Sequence, residues 1–161
     1  MEKENRSNKR YRGGRRRPES LDEKVKEAIS SVLEQLQDTF APATVRGLNP
    51  FQRRQIHLHF EKTQEYKVRA QRGDGDEVVL QIYPVGQLRR MAETKVQEVL
   101  MTGESIALPP MGSYERFIVH EYIKERGGVR TESFGEGVER HIVVFPVFGR
   151  VPKKAKRRLT R

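Results

Sequence analysis

The chain of 161 residues contains no cysteine. This excludes a disulfide framework and every cysteine-based metal or redox site. No apolar run approaches the roughly 18 residues that a membrane-crossing helix requires. The N-terminus is charged from Glu2 onward and lacks the apolar stretch of a secretion signal, so a soluble, cytoplasmic protein is expected. Hydrophobic residues make up only 35% of the chain, which limits it to a modest core or two small ones. There is no P-loop, no nucleophile motif and no pair of metal-binding carboxylates. The four histidines are His57, His59, His120 and His141. His57 and His59 are two residues apart and point in nearly opposite directions on a helix, so no metal-ligand spacing is recognisable. The expectation is a binding protein with no catalytic residues, no metal and no cofactor.

What is present is positive charge, unevenly placed. The net charge is +10, yet residues 21–149 hold 17 Lys/Arg against 19 Asp/Glu. The excess sits at the ends. Residues 1–20 carry eight Lys/Arg and three Glu, and residues 150–161 carry seven Lys/Arg and no acid. Dense like charge with few apolar residues does not favour ordering, so both ends are expected to be disordered basic arms. Arg12, Arg15, Arg16 and Arg17 with two interposed glycines suit RNA phosphates, as do Lys153, Lys154, Lys156, Arg157 and Arg158.

The middle of the chain repeats itself. LNPFQRRQIH (48–57) aligns with MGSYERFIVH (111–120) without gaps, 63 residues apart, placing Arg53 with Arg116 and His57 with His120. VRAQRGDGDEVVLQIYP (68–84) aligns with VRTESFGEGVERHIVVFP (129–146) with one insertion, Val68-Arg69 meeting Val129-Arg130. Upstream, Val25, Ala28, Ile29, Leu33 and Leu36 form an apolar stripe of helical period, and so do Leu88, Met91, Ala92, Val96 and Val99. Asn49, Pro50 and Gln52 supply an N-cap, an N1 proline and a reciprocal N3 acceptor for the following helix; Gly112 and Glu115 fill the same slots with a weaker cap. Short strands are expected near 43–47 and 104–108, and the Gly-acid-Gly steps 73–75 and 135–137 read as hairpin turns. The acids there (Asp74, Asp76, Glu77, Glu136 and Glu139) read as solvated turn residues. The fold class is therefore α+β, with two tandem small domains over 21–84 and 85–149. Each is helix-strand-helix-strand-strand, with a three-stranded sheet covered on one face by two helices.

Arg and His four apart on a helix share one face. A guanidinium offers a planar fork to phosphate oxygens, and an imidazole donates to a phosphate or stacks on a base. The binding candidates are Arg53, Arg54, His57, Arg69 and Arg72 in the first copy and Arg116, His120, Arg130, Phe134 and Arg140 in the second. Where the second copy has Arg140 the first has Val78, which weakens the first copy's phosphate grip unless Arg54 and Arg72 compensate. Phe51 and Tyr114 read as core anchors ahead of base-stacking rings, whereas Phe134 at its turn reads as exposed.

The segment LPPMGSYERFIVHEYIKERGGVRTESFGEGVERHIVVFP (108–146) resembles the R-three-H family, named for its Arg-three-residues-His motif. It is most similar to the form found at the C-terminus of bacterial Jag-type proteins. The likeness lies in the Leu-Pro-Pro-Met entry, the aromatic-Glu-Arg step, His120, the Ser133 to Gly137 turn and Arg140. It implies single-stranded nucleic acid binding without base specificity, RNA ahead of DNA, with a ribosome or ribonucleoprotein as the wider setting. Those relatives place a KH domain with a Gly-x-x-Gly loop before this segment, and residues 21–84 have no such loop. A second reading remains: a protein-interaction adaptor in which 21–84 is a degenerate KH-like domain and the tails bind nucleic acid or ribosomes nonspecifically.

Overall fold

In a computed structural model, residues 21–73 and 75–147 are described. The expected basic arms and Asp74 lie outside them. The Asp22 carboxylate accepts the Lys24 N–H at 2.9 Å and starts α1 (Glu23–Gln35). The chain continues through β1 (Ala43–Val45), α2 (Pro50–Phe60), β2 (Lys67–Arg72) and β3 (Val78–Tyr83). The same order follows in the second half: α3 (Val85–Thr102), β4 (Ile106–Ala107), α4 (Ser113–Arg126), β5 (Val129–Phe134) and β6 (His141–Pro146). A 3-10 turn at Gly137–Glu139 lengthens the last connection.

The protein is α+β, with two three-stranded antiparallel sheets ordered β1-β3-β2 and β4-β6-β5. Each sheet has its own apolar cluster, which follows from strand alternation. Leu80 and Ile82 of β3 pack with Val25, Ile29, Ile56 and Phe60, while Ile142 and Val144 of β6 pack with Leu88, Val96, Val119 and Ile123. Most of the helical stripe residues are buried, Ala28, Leu33 and Met91 only in part, and Val32 is buried in α1 although Lys95 stands 63 positions on. Between α3 and α4, Glu93 accepts from Arg126 at 2.7 Å and from the Tyr122 hydroxyl at 2.9 Å. The hydrogen bond from Arg126, with a further one from Gln97, holds the Glu93 carboxyl down at about 2. Among the described residues, no helix is long and apolar enough to cross a membrane.

The sheet registers correct one sequence alignment. Val68 of β2 lies opposite Ile82, and Thr131 of β5 lies opposite Val144. On β1 and β4, Ala43 also lies opposite Ile82 and Ile106 opposite Val144, making Ile82 and Val144 equivalent. Val68 therefore takes the place of Thr131, and Ala70 that of Ser133; the Val-Arg dipeptides do not correspond. The two alignments differ by two residues, which keeps the same strand face inward, so alternation alone does not separate them and only the pairing with β3 and β6 does.

The two halves also touch. Tyr83, at the end of β3, is 4% exposed and joins the second apolar cluster. The Gly86 N–H donates to the Glu65 carbonyl at 2.9 Å, Arg90 pairs with the Glu65 carboxylate at 2.8 Å, and the Gln87 amide donates to the Leu36 carbonyl at 2.7 Å. A Cβ at Gly86 would meet the Glu65 carboxylate, so a larger residue there would displace that side chain from its place beside Arg90.

Candidate nucleic-acid interface

Both Arg-x-x-x-His helices begin in the same way. Asn49 and Gln52 form a complete capping box on α2, whereas Gly112 makes no side-chain cap on α4. Arg53 Nη1 donates to the Leu48 carbonyl at 2.7 Å, and Arg116 Nη1 donates to the Met111 carbonyl at 2.7 Å. One edge of each guanidinium thus ties the helix to the chain that enters it. Arg116 also donates to Ser113 Oγ at 3.2 Å. A guanidinium has five N–H groups, so donors remain for a ligand in each copy.

The histidines differ. His120 Nδ1 lies 2.7 Å from Thr131 Oγ1, and its Nε2 lies 2.9 Å from Ser133 Oγ. Burial, and then the neighbouring Arg116 charge, push its pKa below the ordinary value. A neutral imidazole suits this place, because one nitrogen donates to a hydroxyl while the other accepts from one. To donate to a phosphate, His120 would have to exchange one of these hydroxyl partners for the ligand. Both nitrogens are occupied, and the residue fixes α4 to β5. His57 has no such partners, since Val68 and Ala70 hold the corresponding strand positions. Its Nδ1 is 3.8 Å from Glu61 Oε1.

Around His120 is an open cavity of about 490 Å³ lined by Glu121, Lys124, Arg130 and Thr131 among others. Lys124 was not singled out by the sequence. It follows His120 by four residues, so the i, i+4 rule that pairs Arg116 with His120 could have found it. In the first copy its slot holds Glu61. Arg130 pairs with Glu132 at 2.6 Å and lies 4.8 Å over the Phe145 ring.

The other candidates are dispersed. Arg54 is exposed on α2, Arg72 ends β2 at the hairpin, and Arg140 is exposed just before β6. Arg69 leaves the first sheet to lie 4.2 Å over the Tyr114 ring of α4. Phe134 is exposed and meets Phe145 edge-on, 6.1 Å between centroids. Phe51 is 49% exposed, so its assignment as a core anchor does not hold; Tyr114 packs against the second cluster as expected. The tail residues Arg12, Arg15, Arg16, Arg17, Lys153, Lys154, Lys156, Arg157 and Arg158 lie outside the described residues. Among the described residues no three of His, Asp and Glu converge as a metal-binding set.

The second half thus holds Arg116 against the chain entering α4 and His120 against the hydroxyls of β5. Residues 86–146 match the R-three-H domain family. The matched segment runs from α3 through β6 and contains Arg116, His120, Lys124 and Arg130. The chain is also similar to the RNA-binding protein KhpB of Lactiplantibacillus plantarum, with 39% identity over 57 residues. The aligned part is 35% of this chain and 18% of that protein, so the likeness spans less than a fifth of the relative. No solved structure matches the chain.

Proposed function

We propose that this protein binds single-stranded nucleic acid, RNA ahead of DNA, in the cytoplasm and mainly through the phosphate backbone. Residues 21–84 and 85–149 act as two Arg-x-x-x-His domains, and the basic arms 1–20 and 150–161 add nonspecific phosphate contacts. The observation that carries the reading is the R-three-H match over the segment in which Lys124 and Arg130 line one cavity with His120, and Arg116 precedes His120 by four residues on α4. The similarity to an RNA-binding protein supports it. In this scheme the Arg and Lys side chains hold phosphates, and His120 keeps their helix in place. The chemistry is binding, since no nucleophile motif accompanies the cations. Linking two weak sites raises the effective concentration of the second, which strengthens binding without new contacts.

The test is a titration of labelled single-stranded RNA by fluorescence anisotropy, using the full chain and residues 21–149 at several salt concentrations. Neutralising about five phosphates gives a log–log slope of roughly −3.5 for single strands. Binding by residues 21–149 that Arg116 substitution weakens is the expected result. Binding confined to the full chain would leave the tails as the nucleic-acid contacts. The near-balance of 17 Lys/Arg and 19 Asp/Glu in residues 21–149 would then favour the adaptor reading. A pull-down insensitive to RNase would support that reading.

A further inference from the structure

Between the two halves lies an open cleft of about 480 Å³. Its floor is the face of the first sheet turned away from α1 and α2. Arg69 and Gln81 are cross-strand partners on that floor, and Gln71 lies two residues further along β2. Its wall is the start of α4, where Tyr114 and Phe117 stand. The volume lies in the range of small-molecule sites.

Phe117 is 55% exposed and adds little to the apolar core. A single exposed phenyl ring is ordinary. This one, however, continues a run of rings. Phe117 stacks on Tyr114 with centroids 5.9 Å apart and planes 20° apart, and Tyr114 meets Tyr83 edge-on at 4.6 Å. Arg69 lies over Tyr114, and among the described residues no carboxylate is within ion-pair distance of it. Gln81 accepts the Tyr83 hydroxyl hydrogen at 2.6 Å. This bond orients the amide and leaves its NH2 group to donate elsewhere. The cleft, which Glu115 also lines, therefore combines an exposed ring, a cation with no ion-pair partner among the described residues, the oriented amide of Gln81 and the amide of Gln71.

From this juxtaposition we infer that the cleft receives one unpaired nucleobase of a bound single strand. The base stacks on Phe117, its hydrogen-bonding edge faces the amides of Gln71 and Gln81, and its phosphate lies toward Arg69. Stacking with amide contacts is how proteins hold unstacked bases of single strands. The position of Phe117 in α4 is held by Arg54 in α2. The residue following the motif arginine thus offers a charge in the first copy and a ring in the second. The inference rests on the nucleic-acid reading and adds a base-dependent contact to its backbone contacts.

The experiment compares full-length wild type with Phe117→Ala, Phe117→Tyr and Arg116→Glu. Each is titrated with a labelled single-stranded oligonucleotide and with an abasic strand of equal length, at a salt concentration that weakens the tail contacts. Circular dichroism confirms folding, which the exposure of Phe117 favours. Phe117→Ala is expected to bind the base-bearing strand about tenfold more weakly, on the scale of one lost stacking contact. It should bind the abasic strand as wild type does. Phe117→Tyr keeps the ring and restores affinity, whereas Arg116→Glu weakens binding to both strands. If Phe117→Ala binds the base-bearing strand as wild type does while Arg116→Glu is impaired, the cleft is overturned and backbone binding stands. If wild type binds neither strand, both readings fall.

Discussion

Helices α2 and α4 carry the same motif in different settings. The arginines agree: each donates from Nη1 to the carbonyl five residues back at 2.7 Å. The histidines do not. His120 is held by two hydroxyls, whereas the strand positions that would hold His57 carry Val68 and Ala70. One turn further on, Lys124 stands where the first copy has Glu61. The second copy thus has a fixed helix and a cavity whose Lys124 and Arg130 stand beside Glu121 and Glu132, and the first has a less secured histidine beside Glu61. A shared motif can preserve the arginine's structural bond while its surroundings diverge in charge and hydrogen bonding. On the proposed nucleic-acid reading, this comparison makes the second copy the stronger phosphate site.

The largest test of that difference is charge reversal at the arginines. Arg116→Glu should weaken single-strand binding by residues 21–149 about 10- to 100-fold, the scale of charge-assisted hydrogen bonds. Arg53→Glu should cost less, because Glu61 already offsets the first site. Equal losses by anisotropy would show that the two copies bind equally. Stability should separate the histidines next. His120→Ala leaves two hydroxyls without their partner and should cost about 1–2 kcal/mol. His57→Ala should cost less than about 0.5 kcal/mol, as for most surface changes. Urea midpoints measure both, and a reversed order would contradict the assigned role of His120.

A smaller effect should follow from exchanging the charges one turn beyond the histidines. Lys124→Glu should flatten the salt slope by about 0.7 if one phosphate contact is lost, and Glu61→Lys should steepen it by a similar amount. No change in either slope would remove Lys124 from the interface. The smallest expected effect concerns pH. His120 has a lowered folded pKa, caused first by burial and then by Arg116. Its contribution to stability is therefore complete above the unfolded value, near 6.5, and is lost as pH falls from there through the folded value. His120→Gln should make the urea midpoint less sensitive to pH between about 7.5 and 5. An unchanged slope would mean that other groups dominate that window.

Much of the architecture was legible because it rests on local signals. Asn49, Pro50 and Gln52 announced the start of α2, and the capping box formed as its spacing requires. The apolar stripes located α1 and α3, and Gly103 ends α3 with a φ of 74°, a conformation that favours glycine. The interface was less legible. Thr131 and Ser133 are distant from His120 in sequence, and only the β5–β6 register turns them toward it. The Val-Arg dipeptides misled because similar letters do not reveal how far along its partner a strand is paired, and a shift of two residues keeps the same face inward. Lys124 was within reach of helical spacing and was passed over. Phe117 carries no local signal, and its place in the cleft depends on packing between the halves.

The order of elements, the two apolar faces and the doubled Arg-x-x-x-His motif could all be read from the residues alone, because caps, glycine turns and helical periodicity act within a few residues. It took the folded chain to settle which hydroxyls hold His120, which cations share its cavity and that Phe117 and Arg69 line one cleft. Those outcomes depend on strand register and on the docking of the two halves, where burial across long sequence separations selects among pairings that local propensity leaves equal.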